Sequence, residues 1–141
     1  MVQIIEYLSA MNSYSPFKGK TGVKRVLNAT QYSLAGFKSA FIHEAAFRQI
    51  VLINVILIPG SFFLDVSAVE QALMVAVCLL ALIVELLNSA IEAVVDRISL
   101  DKHPLSKNAK DFGSAAVLLT LLLAGACWLM VLWQLWQNWG K

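Results

Sequence analysis

The sequence predicts an all-α membrane protein with an N-terminal amphipathic surface helix followed by three transmembrane helices. Hydrophobic residues make up 59% of the 141 residues and charged residues 14%, against about 45–50% and about 25% in soluble domains. The chain also contains long runs without charge, and its lysines and arginines flank those runs. A soluble domain of this size has too little interior for so much apolar surface. An ordinary soluble enzyme and a nucleic-acid binder with a basic surface are therefore excluded.

The first element of the predicted membrane domain is the surface helix. We interpret residues 1–20 as an N-terminal extension and residues 21–141 as a single membrane domain. From Val23 to Phe41, apolar side chains recur at helical spacing along one narrow face. This pattern predicts an amphipathic helix over about residues 23–42 that lies in the membrane interface. It fits both a plain anchor and a lid over a surface site.

Three apolar segments follow. They predict membrane spans over about residues 45–65, 68–97 and 108–136. A span needs about 20 apolar residues, and the stretch from Ala115 to Trp133 contains no charge at all. The first segment is the shortest and has Pro59 near its end. Cys78 and Cys127 lie inside apolar runs, so we interpret both as small buried hydrophobic residues.

The charges predict the orientation of the chain in the membrane. Basic residues precede the first span and fill the second loop, at Arg97, Lys102, Lys107 and Lys110. The positive-inside rule then places the N-terminus and the second loop in the cytoplasm and the C-terminus on the far side. Four tryptophans gather towards that far end, as in an interfacial aromatic belt: Trp128, Trp133, Trp136 and Trp139.

Acidic residues at the end of the second span carry the predicted chemistry. Glu85, Asn88, Glu92 and Asp96 follow at spacings of three, four and four, which places them within an arc of about 80° on one helix face. Acids at the edge of a span are energetically expensive and usually functional. Carboxylates suit a hard cation such as Mg²⁺, and Glu44 lies at the same membrane edge. Pairing with neighbouring helices is the structural alternative.

The start of the third span adds a basic residue and small residues. Lys110 can contact phosphate oxygens as a point charge, although a surface Lys–Asp pair that anchors the loop is the alternative for Lys110 and Asp111. Small residues such as Ser89 and Gly113 permit close contact between helices. Three short spans make a thin bundle, so we expect oligomerisation.

Three blocks of this sequence together resemble the prokaryotic diacylglycerol kinase family, in its Gram-negative form. They are Glu44-Ala-Ala-Phe-Arg-Gln49, Glu85-Leu-Leu-Asn-Ser-Ala-Ile-Glu-Ala-Val-Val-Asp-Arg97 and Ala109-Lys-Asp-Phe-Gly-Ser-Ala-Ala116. The resemblance extends over about residues 23–133. It implies a homotrimer in the bacterial inner membrane that transfers the γ-phosphoryl group of MgATP to the hydroxyl of diacylglycerol. The product, phosphatidic acid, belongs to phospholipid metabolism.

The resemblance also implies a role for each matching residue. Glu85 matches the general base, and Glu44 and Glu92 match the carboxylates that hold Mg²⁺ on ATP. The implied ATP contacts are Arg25, Tyr32, Glu44, Glu92, Lys110 and Asp111. The implied lipid contacts are Gln49, Glu85 and Ser114, with Asn88 and Asp96 as supporting residues.

Two alternative functions remain open from the sequence. The nearer one is an undecaprenol kinase of the same fold, since His43, Ile50 and Pro104 depart from the Gram-negative pattern near the lipid site and the second loop. The other is a non-enzymatic transporter or assembly subunit whose intramembrane acids carry ions.

Overall fold

The computed structural model describes residues 22–139, and within this range the chain is all-α, without a strand. Its four helices are α1 (Val23–His43), α2 (Ala45–Ser61), α3 (Ala68–Ile98) and α4 (Pro104–Asn138). The all-α prediction is confirmed. The predicted extension over residues 1–20 lies outside the described residues.

The chain divides into two compact units between Lys38 and Ser39, within α1, and each unit is described by itself. The apolar residues Val26, Leu27 and Leu34 of α1 are exposed. The interfacial position of this helix stays a prediction.

The second unit contains two helices that are long and apolar enough to cross a membrane, α3 with 31 residues and α4 with 35. A third span results if α1 and α2, which bend at their junction, count as one. On its own α2 has 17 residues, a length of about 26 Å against a hydrocarbon core of about 30 Å. The protein is an integral membrane protein with two to three candidate spans.

Local signals explain where α2 ends and where α3 begins. The predicted first span runs to residue 65, but α2 ends at Ser61 because the N–H groups of Phe62 and Phe63 turn back to carbonyls in its last turn, each at 3.1 Å. A capping box then starts α3: the Ser67 hydroxyl accepts from the Glu70 N–H at 3.3 Å, and the Ser67 N–H donates to the Glu70 carboxylate at 2.8 Å.

The N-terminus of α4 has a cap of its own. His103 Nδ1 accepts a hydrogen bond from the Leu105 N–H at 3.2 Å, and Pro104 occupies the first turn, where its missing N–H costs nothing. The helix therefore begins at residue 104, four residues before the predicted span. The sequence analysis did not anticipate this use of His103.

The central helix α3 packs against both α2 and α4. The core between α3 and α4 contains Met74, Cys78, Cys127 and Trp128. Both cysteines are free and buried, as predicted. The belt prediction is wrong for Trp128, which is only 9% exposed, because it lies on the face of α4 that contacts α3. The other three tryptophans are exposed.

Candidate functional site

A polar cavity of about 250 Å³ opens between α2, α3 and α4. Its lining consists of Glu44, Ala46, Glu85, Asn88, Glu92, Ser114 and Val117. Five of these seven are residues that the sequence analysis selected. Three of the five come from α3 at spacings of three and four, because one helix face carries all of them.

The α3 side of the cavity contains the most buried acid. Glu85 is only 3% exposed. One turn later, the amide Nδ2 of the buried Asn88 donates to Glu92 Oε1 at 3.2 Å, which orients that carboxylate. The other amide atom, Asn88 Oδ1, is buried and has no hydrogen-bond partner among the described residues. The cavity thus holds two carboxylates of α3, one of them oriented by the Asn88 amide.

A glycine on α4 leaves the space that Asn88 fills. A Cβ atom added to Gly113 would lie 2.1 Å from Asn88 Oδ1 and 3.2 Å from Asn88 Cγ. A Cβ atom there would displace the Asn88 side chain, so glycine is the residue that leaves Asn88 in this position against α4. The predicted close contact through Gly113 is confirmed, but its partner Asn88 was not foreseen.

Glu44 brings a third carboxylate to the cavity, from the N-cap position of α2. Its backbone is extended and its side chain makes no capping hydrogen bond. The half-buried carboxylate lines the cavity instead. Within one chain, therefore, Glu44 faces the same space as Glu85 and Glu92.

Arg48 stabilises the backbone around Glu44. Its Nη1 donates to the carbonyl oxygens of Phe41 at 3.1 Å and Ile42 at 3.0 Å. These carbonyls belong to the last turn of α1, where the helix itself offers no partner. Arg48 was missed as a site-forming residue. The available signal was an arginine four residues after Glu44, at the start of an apolar segment.

The donor set of the cavity fits a nucleotide-bound Mg²⁺. Among residues 22–139, no three His, Cys, Asp or Glu side chains are arranged to hold a metal by themselves. In nucleotide sites, Mg²⁺ takes one or two carboxylates and completes its shell with phosphate oxygens and water. Glu44 and Glu92 are a donor set of that kind.

Asp96 does not continue the row of cavity acids. It binds Lys110 in an ion pair, with Nζ and Oδ1 2.6 Å apart. Both line a separate cleft of about 660 Å³ between the end of α3 and the start of α4. Asp111 pairs with Lys107, one turn earlier on α4. In this structure, Lys110 and Asp111 each form an ion pair that anchors the loop, which is the alternative that the sequence analysis gave to a phosphate contact.

The remaining predicted residues lie elsewhere. Gln49 is exposed and does not line the polar cavity. Arg25 and Tyr32 are exposed residues of the first unit. Two lining residues were missed, Ala46 and Val117. Both are apolar, so residue type gave no signal. The available signal was their spacing, since Ala46 follows Glu44 by two residues and Val117 follows Ser114 by three.

Comparison with known proteins finds one family, and its members match most of this chain. A family model described as prokaryotic diacylglycerol kinase matches residues 31–132. A diacylglycerol kinase of Pseudomonas aeruginosa is 69% identical over 120 residues, which cover 85% of this chain and 98% of the relative. The diacylglycerol kinases of Haemophilus influenzae and Escherichia coli K12 are 49% and 46% identical. Those matches cover 77% and 81% of this chain and 92% and 93% of the relatives.

Proposed function

The chain belongs to the prokaryotic diacylglycerol kinase family, and we propose that it transfers the γ-phosphoryl group of MgATP to the hydroxyl of membrane diacylglycerol, giving phosphatidic acid. The resemblance noted in the sequence is thus confirmed, and the protein is an ATP-using lipid kinase. The observation that carries the mechanism is the buried Glu85 in a polar cavity beside two further carboxylates.

Glu85 acts as the general base. The lipid oxygen attacks the γ-phosphorus while its proton passes to the Glu85 carboxylate. The new oxygen–phosphorus bond forms as the bond to the β-phosphate oxygen breaks, and ADP leaves. Burial suits this role because it excludes water, which would otherwise compete with the lipid hydroxyl for the γ-phosphoryl group.

Glu44 and Glu92 hold the nucleotide's metal. When bound, Mg²⁺ neutralises charge on the β- and γ-phosphate oxygens. The hydrogen bond from Asn88 holds Glu92 in one orientation, and Arg48 fixes the backbone turn that presents Glu44. Phosphoryl transfer depends mostly on positioning, so these supporting contacts matter for rate.

Lys110 binds the nucleotide phosphates on the cytoplasmic side. It exchanges Asp96 for a phosphate oxygen at small cost, because both side chains are partly exposed and such pairs contribute about 1 kcal/mol or less. Asp96 follows Glu92 by one helical turn, about 6 Å along the axis, so the metal and the lysine can act on one polyphosphate chain. The resemblance implies Arg25, Tyr32 and Asp111 as further nucleotide contacts.

The lipid reaches the cavity from the bilayer. Ala46 and Val117 form the apolar wall of the cavity, and Ser114 offers a hydroxyl to the glycerol group. Gln49, which is exposed on α2, is a further lipid contact outside the cavity. The acyl chains stay among the apolar faces of the spans. We infer from the charge pattern that the cavity lies at the cytoplasmic face of the inner membrane, with α1 as anchor or lid in the interface and the C-terminus on the far side.

We expect the working form to be a homotrimer. Much of the apolar surface of α3 and α4 is exposed, including Leu87, Ile91, Leu118 and Leu122. Sedimentation of the detergent-solubilised protein tests this expectation, and a monomer or dimer would contradict it.

The test is phosphate transfer from radiolabelled ATP in mixed micelles, with diacylglycerol and undecaprenol offered separately. Glu85→Gln removes the base and keeps the side-chain size, so it should abolish transfer. Glu70→Gln is the matched control, since Glu70 is the carboxylate that caps the other end of α3. Label in phosphatidic acid that disappears only in Glu85→Gln supports the proposal. Label only in the polyprenol favours the undecaprenol kinase, and no label from folded trimer favours the transporter.

A further inference from the structure

Asn54 is a polar residue buried in the apolar helix α2. It is only 6% exposed, and its Nδ2 donates to the backbone carbonyl of Cys78 on α3 at 2.8 Å. A carboxamide inside the hydrocarbon region needs an internal partner. Here that partner belongs to a different helix, so the bond ties α2 to α3 at one defined level.

This bond relates two positions that lie far from it along both helices. Glu44 lies ten residues before Asn54 on α2, and Asn88 lies ten residues after Cys78 on α3. Each step is about 15 Å along its helix, and both residues line the polar cavity. Because α2 and α3 run antiparallel in this register, Glu44 lies at the level of Asn88, between Glu85 and Glu92.

A directional hydrogen bond sets a helix register more sharply than apolar packing does. Ile50, for example, is buried between Asn54 and Glu44, but apolar contacts are non-directional. In a bilayer, lipid tails compete equally for such surfaces. A slip of α2 by one residue would displace Glu44 by about 1.5 Å along the axis.

We propose that Asn54 is a positioning residue, whose hydrogen bond to the Cys78 carbonyl sets the register of α2 against α3 and so places Glu44 beside the carboxylates of α3. This inference rests on the proposed function, in which Glu44 holds the metal of MgATP. Asn54 itself does not line the polar cavity.

The test replaces Asn54 by Leu, which has a similar volume and no hydrogen-bonding group. The first readout is equilibrium binding of the magnesium complex of adenylyl imidodiphosphate, an ATP analogue that is not turned over. The second is the split between KM for MgATP and KM for the lipid. The matched control is Thr120→Val: Thr120 is also buried, but its hydroxyl bonds its own helix, at the Ala116 carbonyl.

We expect Asn54→Leu to weaken nucleotide binding and raise KM for MgATP about 3- to 20-fold, the range that one interhelical hydrogen bond in a membrane allows. The lipid KM should change less than twofold. Asn54→Gln keeps the carboxamide and should recover most of the affinity. In a Glu44→Gln background, Asn54→Leu should cause little further loss, because both changes act on one carboxylate.

Unchanged nucleotide binding in folded Asn54→Leu would overturn the proposal, and so would equal effects of Asn54→Leu and Thr120→Val. If the leucine variant does not fold, Asn54→Thr serves instead, because its hydroxyl can bond its own helix but does not reach α3. It must then show the same selective loss. Failure of the proposed function is separate: it would appear as absence of phosphate transfer by the unsubstituted protein.

Discussion

Replacing Gly113 by Ala should damage the active site through one contact. The added Cβ would lie 2.1 Å from Asn88 Oδ1, whereas a carbon and an oxygen normally approach no closer than about 3.3 Å. Asn88, or the whole of α4, must therefore move by about 1.2 Å. A displacement of about 1 Å in a catalytic arrangement can cost about 10²-fold in rate. Overpacking of this size also costs about 1–3 kcal/mol of stability.

The assay is kcat and kcat/KM for lipid phosphorylation in mixed micelles, with thermal unfolding in the same detergent. We expect kcat/KM to fall about 100-fold in Gly113→Ala. Gly125→Ala is the matched control on the same helix, because a Cβ at Gly125 meets no atom within 4 Å. That change should leave kcat intact and stabilise α4 by up to about 1 kcal/mol, since alanine is the better helix former.

A double variant separates this contact from a general effect on packing. In an Asn88→Ala background the clashing amide is gone, so Gly113→Ala should add no further loss of activity. Equal behaviour of Gly113→Ala and Gly125→Ala would refute the reasoning. So would fully additive losses in the double variant, because the two changes would then act independently.

Three further predictions concern the metal, the nucleotide and the helix junction. Glu92→Gln should raise the Mg²⁺ concentration for half-maximal activity several-fold, and an unchanged metal titration would count against Glu92 as a ligand. Lys110→Ala should raise KM for ATP more than KM for the lipid; a selective rise in the lipid KM would contradict the assigned role. Arg48→Ala leaves the Phe41 and Ile42 carbonyls without their side-chain donor. Because both hydrogen bonds are exposed and water can replace the donor, the free energy of unfolding should fall by about 0.5–1.5 kcal/mol. Arg48→Lys, with a single point charge, should recover only part of that loss, and equal melting of wild type and Arg48→Ala would disprove the assignment.

Hydropathy and local signals made the long helices predictable. The runs around α3 and α4 contain so few charges that length alone indicates a span. The actual ends depend on side-chain caps. Ser67 with Glu70 fits a known capping pattern, but a histidine cap such as His103 is uncommon, so the earlier start of α4 was missed. The junction at Glu44 was equally hidden, because the turn depends on Arg48 reaching back to α1.

The candidate site was predictable where one helix carries it. Glu85, Asn88 and Glu92 lie on one face because of their spacing, and no tertiary information is needed for that step. Asp96 follows the same spacing, yet it pairs with Lys110 because α4 brings a cation to the end of α3. The closeness of Gly113 to Asn88 likewise depends on how α4 lies against α3, which a single sequence does not reveal.

The reactive carboxylates of this protein depend on contacts that do no chemistry themselves. Within a bilayer the hydrophobic effect does not choose one helix register over another, because lipid tails solvate apolar faces as well as protein does. Directional or steric contacts must make that choice. Asn54 bonded to the Cys78 carbonyl sets α2 on α3, and Gly113 against Asn88 sets α4 on α3. Substitutions at these two positions should therefore change turnover or nucleotide affinity, although neither residue belongs to the set of cavity carboxylates.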